Sequence, residues 1–249
     1  MVESGFYDLN VYSVPDDSDK VCELAAIAKH LGYSGIAIND PDPSIDRSYP
    51  AGLAGIGIFS GVQIKIQNSS KLHGIVEKFR NRVDIITVHG GNESINRAAV
   101  ENPKVDILTQ MNVGTESGFN HVLAKEASDN KVAISFDLGD LIRLRGGSRV
   151  HVLSNFRKDL QLVRKYDVPF LLTSSPRSWY DMRAPRELIA LASLFGMSRE
   201  EAISGLTVIP QMLISRSCPP VGYLCEGVQV IRTELISEGS EGLNGDDVR

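Results

Sequence analysis

No stretch of this 249-residue chain is apolar for long enough to cross a bilayer as a helix, which takes about 20 consecutive apolar residues. The opening Met-Val-Glu-Ser-Gly-Phe-Tyr-Asp has neither the basic n-region nor the apolar h-region of a secretory leader, so the reading is a cytoplasmic protein with no membrane partner. Cysteine is scarce: three residues, no Cys-x-x-Cys pair, and Pro-Pro-Val-Gly-Tyr-Leu between Cys218 and Cys225. That excludes a disulfide framework and a zinc ribbon, and it leaves reduced thiols, with Cys22 expected as a small buried residue on a helix. There is no Gly-x-Ser-x-Gly elbow and no Lys-bearing phosphate loop. Gly52, Gly55, Gly57 and Gly61 have the wrong spacing for a dinucleotide fingerprint and precede a strand instead of following one. A net charge of −5 rules out non-specific nucleic-acid binding by the whole surface but leaves room for a local basic face.

What is present is a rhythm. Short apolar runs alternate with helical patterns, the signature of parallel βα units. The expected strands are residues 6–12, 35–39, 61–66, 84–89, 105–109, 132–137 and 169–173. Helices are expected over 20–31, 70–81, 93–101, 118–128, 157–166 and 184–195; in the first, Val21, Leu24, Ala25, Ala28 and Leu31 keep the 3.6-residue period, with Asp17 and Ser18 available as caps. About seven such units closing on themselves predict an α/β fold, a distorted TIM-like (β/α) barrel in a single domain over residues 1–232. Residues 41–57, rich in Pro and Gly, read as a surface loop, and the acidic, Gly- and Ser-bearing end over 233–249 reads as a disordered tail.

Parallel barrels carry their functional groups at the C-terminal ends of strands. Those positions supply Asp8, Asn10 and Tyr12 from the first strand, then Asn39, Asp40, Gln67, Asn68, His89, Asp137, Thr173, Ser174 and Ser175. The set is polar but poor in metal ligands, since a catalytic zinc or two-metal site needs at least three strong ligands held together. One reading is an inert, hydrogen-bonded barrel mouth. A second is a metal-dependent phosphoesterase using His89, Asp137 and Asp40, and a third is an anion site on the backbone amides of Val88-His89-Gly90-Gly91.

Basic residues are not evenly spread. Between Arg143 and Arg186 there are ten, against Asp159, Asp167 and Asp181, so the rest of the chain is strongly acidic. Two subsets are candidates for binding RNA or a protein partner. Arg143, Arg145 and Arg149 flank a Gly pair and are expected on a flexible loop; Arg177, Trp179, Arg183 and Arg186 follow a strand, with arginines beside aromatics.

The segments Asp8-Leu9-Asn10-Val11-Tyr12-Ser13, Val88-His89-Gly90-Gly91, Arg164-Lys165-Tyr166-Asp167-Val168-Pro169, Thr173-Ser174-Ser175, Met182-Arg183-Ala184-Pro185-Arg186-Glu187-Leu188 and Leu194-Phe195-Gly196-Met197 together resemble the archaeal and eukaryotic ribonuclease P protein subunit 30 family, over roughly residues 5 to 232. The resemblance implies kinship with the polymerase and histidinol phosphatase superfamily, whose first strand reads Asp-Leu-His-Val-His-Ser; Asn10 and Tyr12 stand where its two imidazoles would be. It also implies a subunit of the ribonucleoprotein that removes the 5′ leader from precursor tRNA. Hydrolysis would be carried out by the RNA, with magnesium needed there and no catalytic residue, metal or cofactor on this chain. The implied partners are the ribonuclease P RNA, archaeal ribonuclease P protein component 2, the other protein subunits, and precursor tRNA through the holoenzyme. The pI of about 5.6 shifts weight from a large RNA contact towards the protein partner.

Overall fold

The computed structural model describes residues 5–12, 18–40, 55–217, 223–225 and 228–229. Seven strands, β1 (Phe6–Tyr12), β2 (Tyr33–Asp40), β3 (Gly57–Ile64), β4 (Ile85–His89), β5 (Ile107–Thr109), β6 (Ala133–Asp137) and β7 (Phe170–Thr173), form one parallel sheet in sequence order. Helices α1 (Ser18–His30), α2 (Leu72–Arg80), α3 (Glu93–Val100), α4 (His121–Asp129), α5 (Leu138–Arg143) and α6 (Gly146–Tyr166) lie between strands, and α7 (Pro185–Ala192), α8 (Arg199–Leu206) and α9 (Val208–Ser217) follow β7. This is the distorted TIM-like barrel that the alternation predicts. Chain contacts divide the molecule after Cys218; beyond it the described residues form a short antiparallel pair, β8 (Tyr223–Cys225) with β9 (Val228–Gln229).

The strands form because both faces of a parallel sheet are covered, so runs such as Ile85-Ile-Thr-Val and Ala133-Ile-Ser-Phe carry no strictly polar side. Helix starts are set by side chains that satisfy free backbone amides. Asn92 accepts from Ser94 N, Asn120 from Val122 N and Leu123 N, Asp137 from Gly139 N, and Ser198 from Glu201 N. Leu9, Ala37, Ile85, Ile107, Ala133 and Leu171, one residue from each of six strands, fill a layer inside the barrel together with Leu213 of α9. Helix α9 therefore closes the N-terminal end, where Gln211 donates to the Tyr7 hydroxyl at 3.5 Å. Its last turn is tied to the barrel by charge. The fully buried Asp106 accepts from Arg80 at 2.6 Å, from Arg216 at 3.0 Å and from Ile86 N at 2.8 Å. Removing one arginine leaves the carboxylate its other partner, so Arg216→Ala is expected to cost about 1–2 kcal/mol in urea unfolding, well short of the ~3–5 kcal/mol for a buried charge left wholly unpaired.

The backbone ladder stops at β1 and β7, which meet without strand pairing. What spans this seam is Asp8. Its carboxylate accepts from Thr173 Oγ1 at 2.6 Å and from Ser174 N and Oγ, each at 3.3 Å. Above it, Tyr12 N donates to Pro176 O at 3.0 Å.

Several local expectations are corrected. The stretch holding Arg143, Arg145 and Arg149 is not a flexible loop: Asp137 caps α5, Gly146 takes φ +56° to turn the chain, and α6 starts there. Only the second half of α6 was expected, because its first turns are exposed and lack an apolar period; burial starts at Val152. Strand β3 begins at Gly57, earlier than its apolar run suggests, and helices α5, α8 and α9 are additional. Cys22 is exposed, because Val21, Leu24, Ala25 and Ala28 hold the inner stripe of α1 and position 22 falls about 100° away from Val21. The expectations for most of the 41–57 loop, for Asp17 as a cap and for the acidic tail lie outside the described residues, and the Ser18 side chain is not described either.

Candidate functional site

The mouth of the barrel is built around a β-bulge in β1. Asp8 pairs with Ile36 and Val11 with Ile38, so three steps on β1 oppose two on β2. Asp8 holds the bulge by accepting from Asn10 N at 3.1 Å. The extra residue lets Leu9 join the apolar layer inside the barrel while Asn10, next in sequence, also reaches the interior. Asn10 is fully buried; its Nδ2 donates to Ser175 Oγ at 2.8 Å and its Oδ1 accepts from Asn39 Nδ2 at 2.7 Å. Tyr12 Oη accepts from Gln63 Nε2 at 2.8 Å. Asn10 and Tyr12 thus act as hydrogen-bonding links between β7, β1, β2 and β3.

Beside β7, Asp137 ends β6 and accepts from Gly139 N at 3.0 Å and Gln110 Nε2 at 2.8 Å, with Arg143 NH2 3.7 Å away. Gln110 also donates to Asp140 at 2.9 Å. Burial, then the neighbouring Asp140 charge, push the Asp137 carboxyl up to about 6. Gln110 and Ser175 both sit in the left-handed region, at φ 52° and 42°, an uncommon conformation for residues other than glycine. Each aims its side chain into the mouth at that local cost. His89, half-buried at the end of β4, is pushed below its usual range by burial and by Lys65, and so is neutral at pH 7. Thr87 Oγ1, Thr109 Oγ1, Ser135 Oγ, Asn39 Oδ1 and His89 Nδ1 are buried with no protein partner. Ser135 and Asp137 border a narrow cavity of about 10 Å³, enough for a single water.

This donor set is one of hydroxyls, amides and a neutral imidazole. Among the described residues, no three His, Cys, Asp or Glu side chains converge as metal ligands. Asp137, proposed as a ligand in the phosphoesterase reading, is instead held by Gln110, Gly139 N and Arg143. The anion reading for Val88-His89-Gly90-Gly91 is also corrected: Gly90 N donates to Thr109 O and Gly91 N to Asn96 Oδ1, so the amides of that turn are already committed.

The basic candidates do not gather in one place. Arg143 bonds Ser175 O at 3.3 Å and Asp140 Oδ1 at 3.3 Å, which makes it part of the mouth. Arg177 is exposed near that rim and acts electrostatically on Tyr12. Arg145 precedes α6 on the surface, and Arg149 donates to Leu144 O. Arg183 O accepts from Tyr33, the first residue of β2, and Arg186 borders a cavity of about 300 Å³ with Phe6, His30 and Gly32; both therefore lie towards the opposite, N-terminal end. Elsewhere in the basic stretch, Arg157 bonds Leu194 O, Lys158 pairs with Glu116, and Arg164 grips Glu201 with two bonds of 2.7 Å. Trp179 and Tyr180 stand exposed on a 3-10 turn between the two ends. Sequence reading missed Gln63, Lys65, Gln110 and Asp140 as mouth residues, since none belongs to a residue type or spacing that marks a ligand.

Comparison with known proteins places these features in a lineage. A family model described as RNase P subunit p30 matches residues 5–218. Ribonuclease P protein component 3 of Methanococcoides burtonii is 49% identical over 241 residues, covering 97% of this chain and 100% of the relative. The protein of that name from Methanosarcina barkeri is 45% identical over 228 residues, covering 91% and 95%. Among solved structures, a chain of archaeal ribonuclease P with mature tRNA, determined by cryo-EM, superposes with a TM-score of 0.76 at 28% identity, covering 92% of this chain and 99% of that one.

Proposed function

The chain belongs to the RNase P subunit p30 family, and from that premise we propose that it serves ribonuclease P, the endonuclease that removes the 5′ leader from precursor tRNA, as a protein subunit that assists a catalytic RNA. The observation that carries this reading is near-complete coverage in both directions: relatives named as component 3 are matched along almost their whole length, and so is a chain of an archaeal ribonuclease P assembly holding tRNA. The partners are then the RNA subunit, the other protein subunits, component 2 first among them, and tRNA through the assembly.

On this reading the chain contributes no reacting group. Its barrel mouth is tied together by Asn10, Asn39, Tyr12, Gln63 and Ser175, and its buried carboxyl Asp137 is held by Gln110, Gly139 N and Arg143. Magnesium would then be needed by the RNA subunit, where it would neutralise phosphates. The assembly works in the cytoplasm; among the described residues no helix is long and apolar enough to cross a membrane. The alternative of a metal-dependent phosphoesterase is not favoured, since its proposed ligand Asp137 is committed elsewhere.

Reconstitution tests the proposal. Adding the chain with component 2 to the RNA subunit is expected to raise the rate of precursor tRNA cleavage at moderate magnesium and to lower the magnesium concentration needed. Unchanged rate and magnesium dependence would refute it, as would turnover by the chain without the RNA.

A further inference from the structure

Between β7 and α7, residues 176–183 cross from the seam onto the outside of β1, β2 and α1. The strap is pinned at both ends. Tyr12 N donates to Pro176 O at 3.0 Å, the Tyr33 hydroxyl donates to Arg183 O at 2.8 Å, and Met182, 5% exposed, sits in the core with Val21, Ile36 and Ile38. Its crest is fixed from within. Asp181 accepts from Arg177 N at 3.4 Å and Ser178 Oγ at 3.3 Å, and the Arg183 guanidinium donates to Tyr180 O and Met182 O at 2.9 and 2.8 Å. On that crest Trp179 and Tyr180 stack on each other, ring centroids 3.4 Å apart and planes 28° from parallel. Trp179 is 37% exposed and Tyr180 71%.

Two large rings held out in water on a rigid turn give up burial that the rest of the chain uses. Their surroundings decide between possible partners. Among the described residues, the other large exposed apolar side chains, Val113, Val122, Val150, Leu194, Val208 and Met212, lie on other segments of the chain. The core of a protein interface is apolar and depleted of charge. Here the immediate neighbours in sequence are Arg177, Ser178, Asp181, Met182 and Arg183, and the one apolar residue among them, Met182, is buried. A pre-stacked aromatic pair flanked by guanidinium groups fits a single unpaired nucleotide, whose base extends the stack and whose phosphate meets an arginine. Stacking on an aromatic face adds to the phosphate contact, and a single nucleotide presents only one phosphate to be met.

We propose that Trp179 and Tyr180 form a stacking platform for an unpaired base of the RNA subunit, with Arg177 on the adjoining phosphate. This rests on the subunit role above. It reconciles an acidic chain with RNA contact through one nucleotide, without a broad phosphate footprint.

Trp179 is the sole tryptophan of the chain, so its emission reports the platform directly. Titrating the full chain with the RNA subunit is expected to quench it saturably. Tyr180→Ala should weaken binding roughly five- to hundredfold, the worth of one stacked base, while Tyr180→Phe keeps it. Arg177→Ala should lower the salt slope of binding by about 0.7, one phosphate on a single strand. The proposal fails if RNA binds without changing the emission, if Tyr180→Ala binds as the wild type does, or if the emission responds only to component 2, which would make the pair a protein contact. Precursor tRNA cleavage is measured alongside. Stimulation by the wild-type chain without quenching overturns the platform alone, whereas absence of stimulation overturns the subunit role beneath it.

Discussion

Asp8→Ala is expected to lower the stability of the barrel by about 3 kcal/mol or more, because it strands several buried donors at once, each worth about 1–3 kcal/mol when left unpaired. The carboxylate accepts from Asn10 N, Thr173 Oγ1, Ser174 N and Ser174 Oγ, and all three donor residues are buried. It does this although burial pushes its own pKa up, with Thr173 the strongest of the groups pulling it back down. Asp8→Asn separates charge from geometry. An amide keeps an acceptor for Asn10 N and Thr173 but turns a donor towards Ser174 N, so its loss should fall between wild type and alanine. Urea unfolding at pH 7 measures both. An alanine variant within 1 kcal/mol of wild type would show that the seam is held by something other than this side chain.

Asp159→Asn is expected to act in the opposite direction, stabilising the chain at pH 8. Asp159 lies on the buried side of α6, 1% exposed, with Ser117 donating to it; burial pushes its carboxyl up to about 7, against smaller opposing effects of Ser117 and Lys158. The unfolded carboxyl titrates near 4, so between about pH 4 and 7 the folded state holds a proton that the unfolded state has lost. Stability is therefore fully present below pH 4, falls as pH rises to about 7, and is flat above that. Three pKa units correspond to roughly 4 kcal/mol, and an asparagine that still accepts from Ser117 should recover on the order of 2–4 kcal/mol of it at pH 8. Asp137, raised to about 6, slopes the same way over pH 4–6. The variant should thus flatten the profile between about pH 6 and 7 and leave only the shallower slope of Asp137 below that. Denaturant midpoints from pH 4.5 to 8 check this; a variant profile parallel to that of the wild type would refute it.

The fold was legible because its signal is local. Apolar runs such as Ile85-Ile-Thr-Val and the 3.6-residue stripe of α1 are written in consecutive residues, and each strand lies within a few residues of where its run places it. The first half of α6 was not legible, because Gly146-Gly-Ser-Arg is stabilised by the chain entering from α5 and not by its own pattern. The mouth was legible in part. Strand alternation places Asn10 and Tyr12 on one side of the first strand. The bulge that puts Leu9 and Asn10 on the same side could not be foreseen, since it depends on Asp8 finding Thr173 and Ser174 some 165 residues away. Charge counting was the least reliable guide. Ten basic residues in one stretch suggested a surface, but six are committed to Glu201, Glu116, Asp140 or backbone carbonyls, and a sum over sequence does not register those partners.

A ring closed by six rows of backbone hydrogen bonds and one row of side chains is a split ring, and a split ring is stiff everywhere except across its cut. Bending it there costs a few contacts around Asp8, whereas bending it anywhere else means breaking a ladder. The strap over residues 176–183 bridges that cut, anchored to β1 and β2 on one side and continuous with β7 on the other. A load applied to Trp179 and Tyr180 therefore enters the barrel beside its cut, through Pro176 on Tyr12 and through Arg183 on Tyr33.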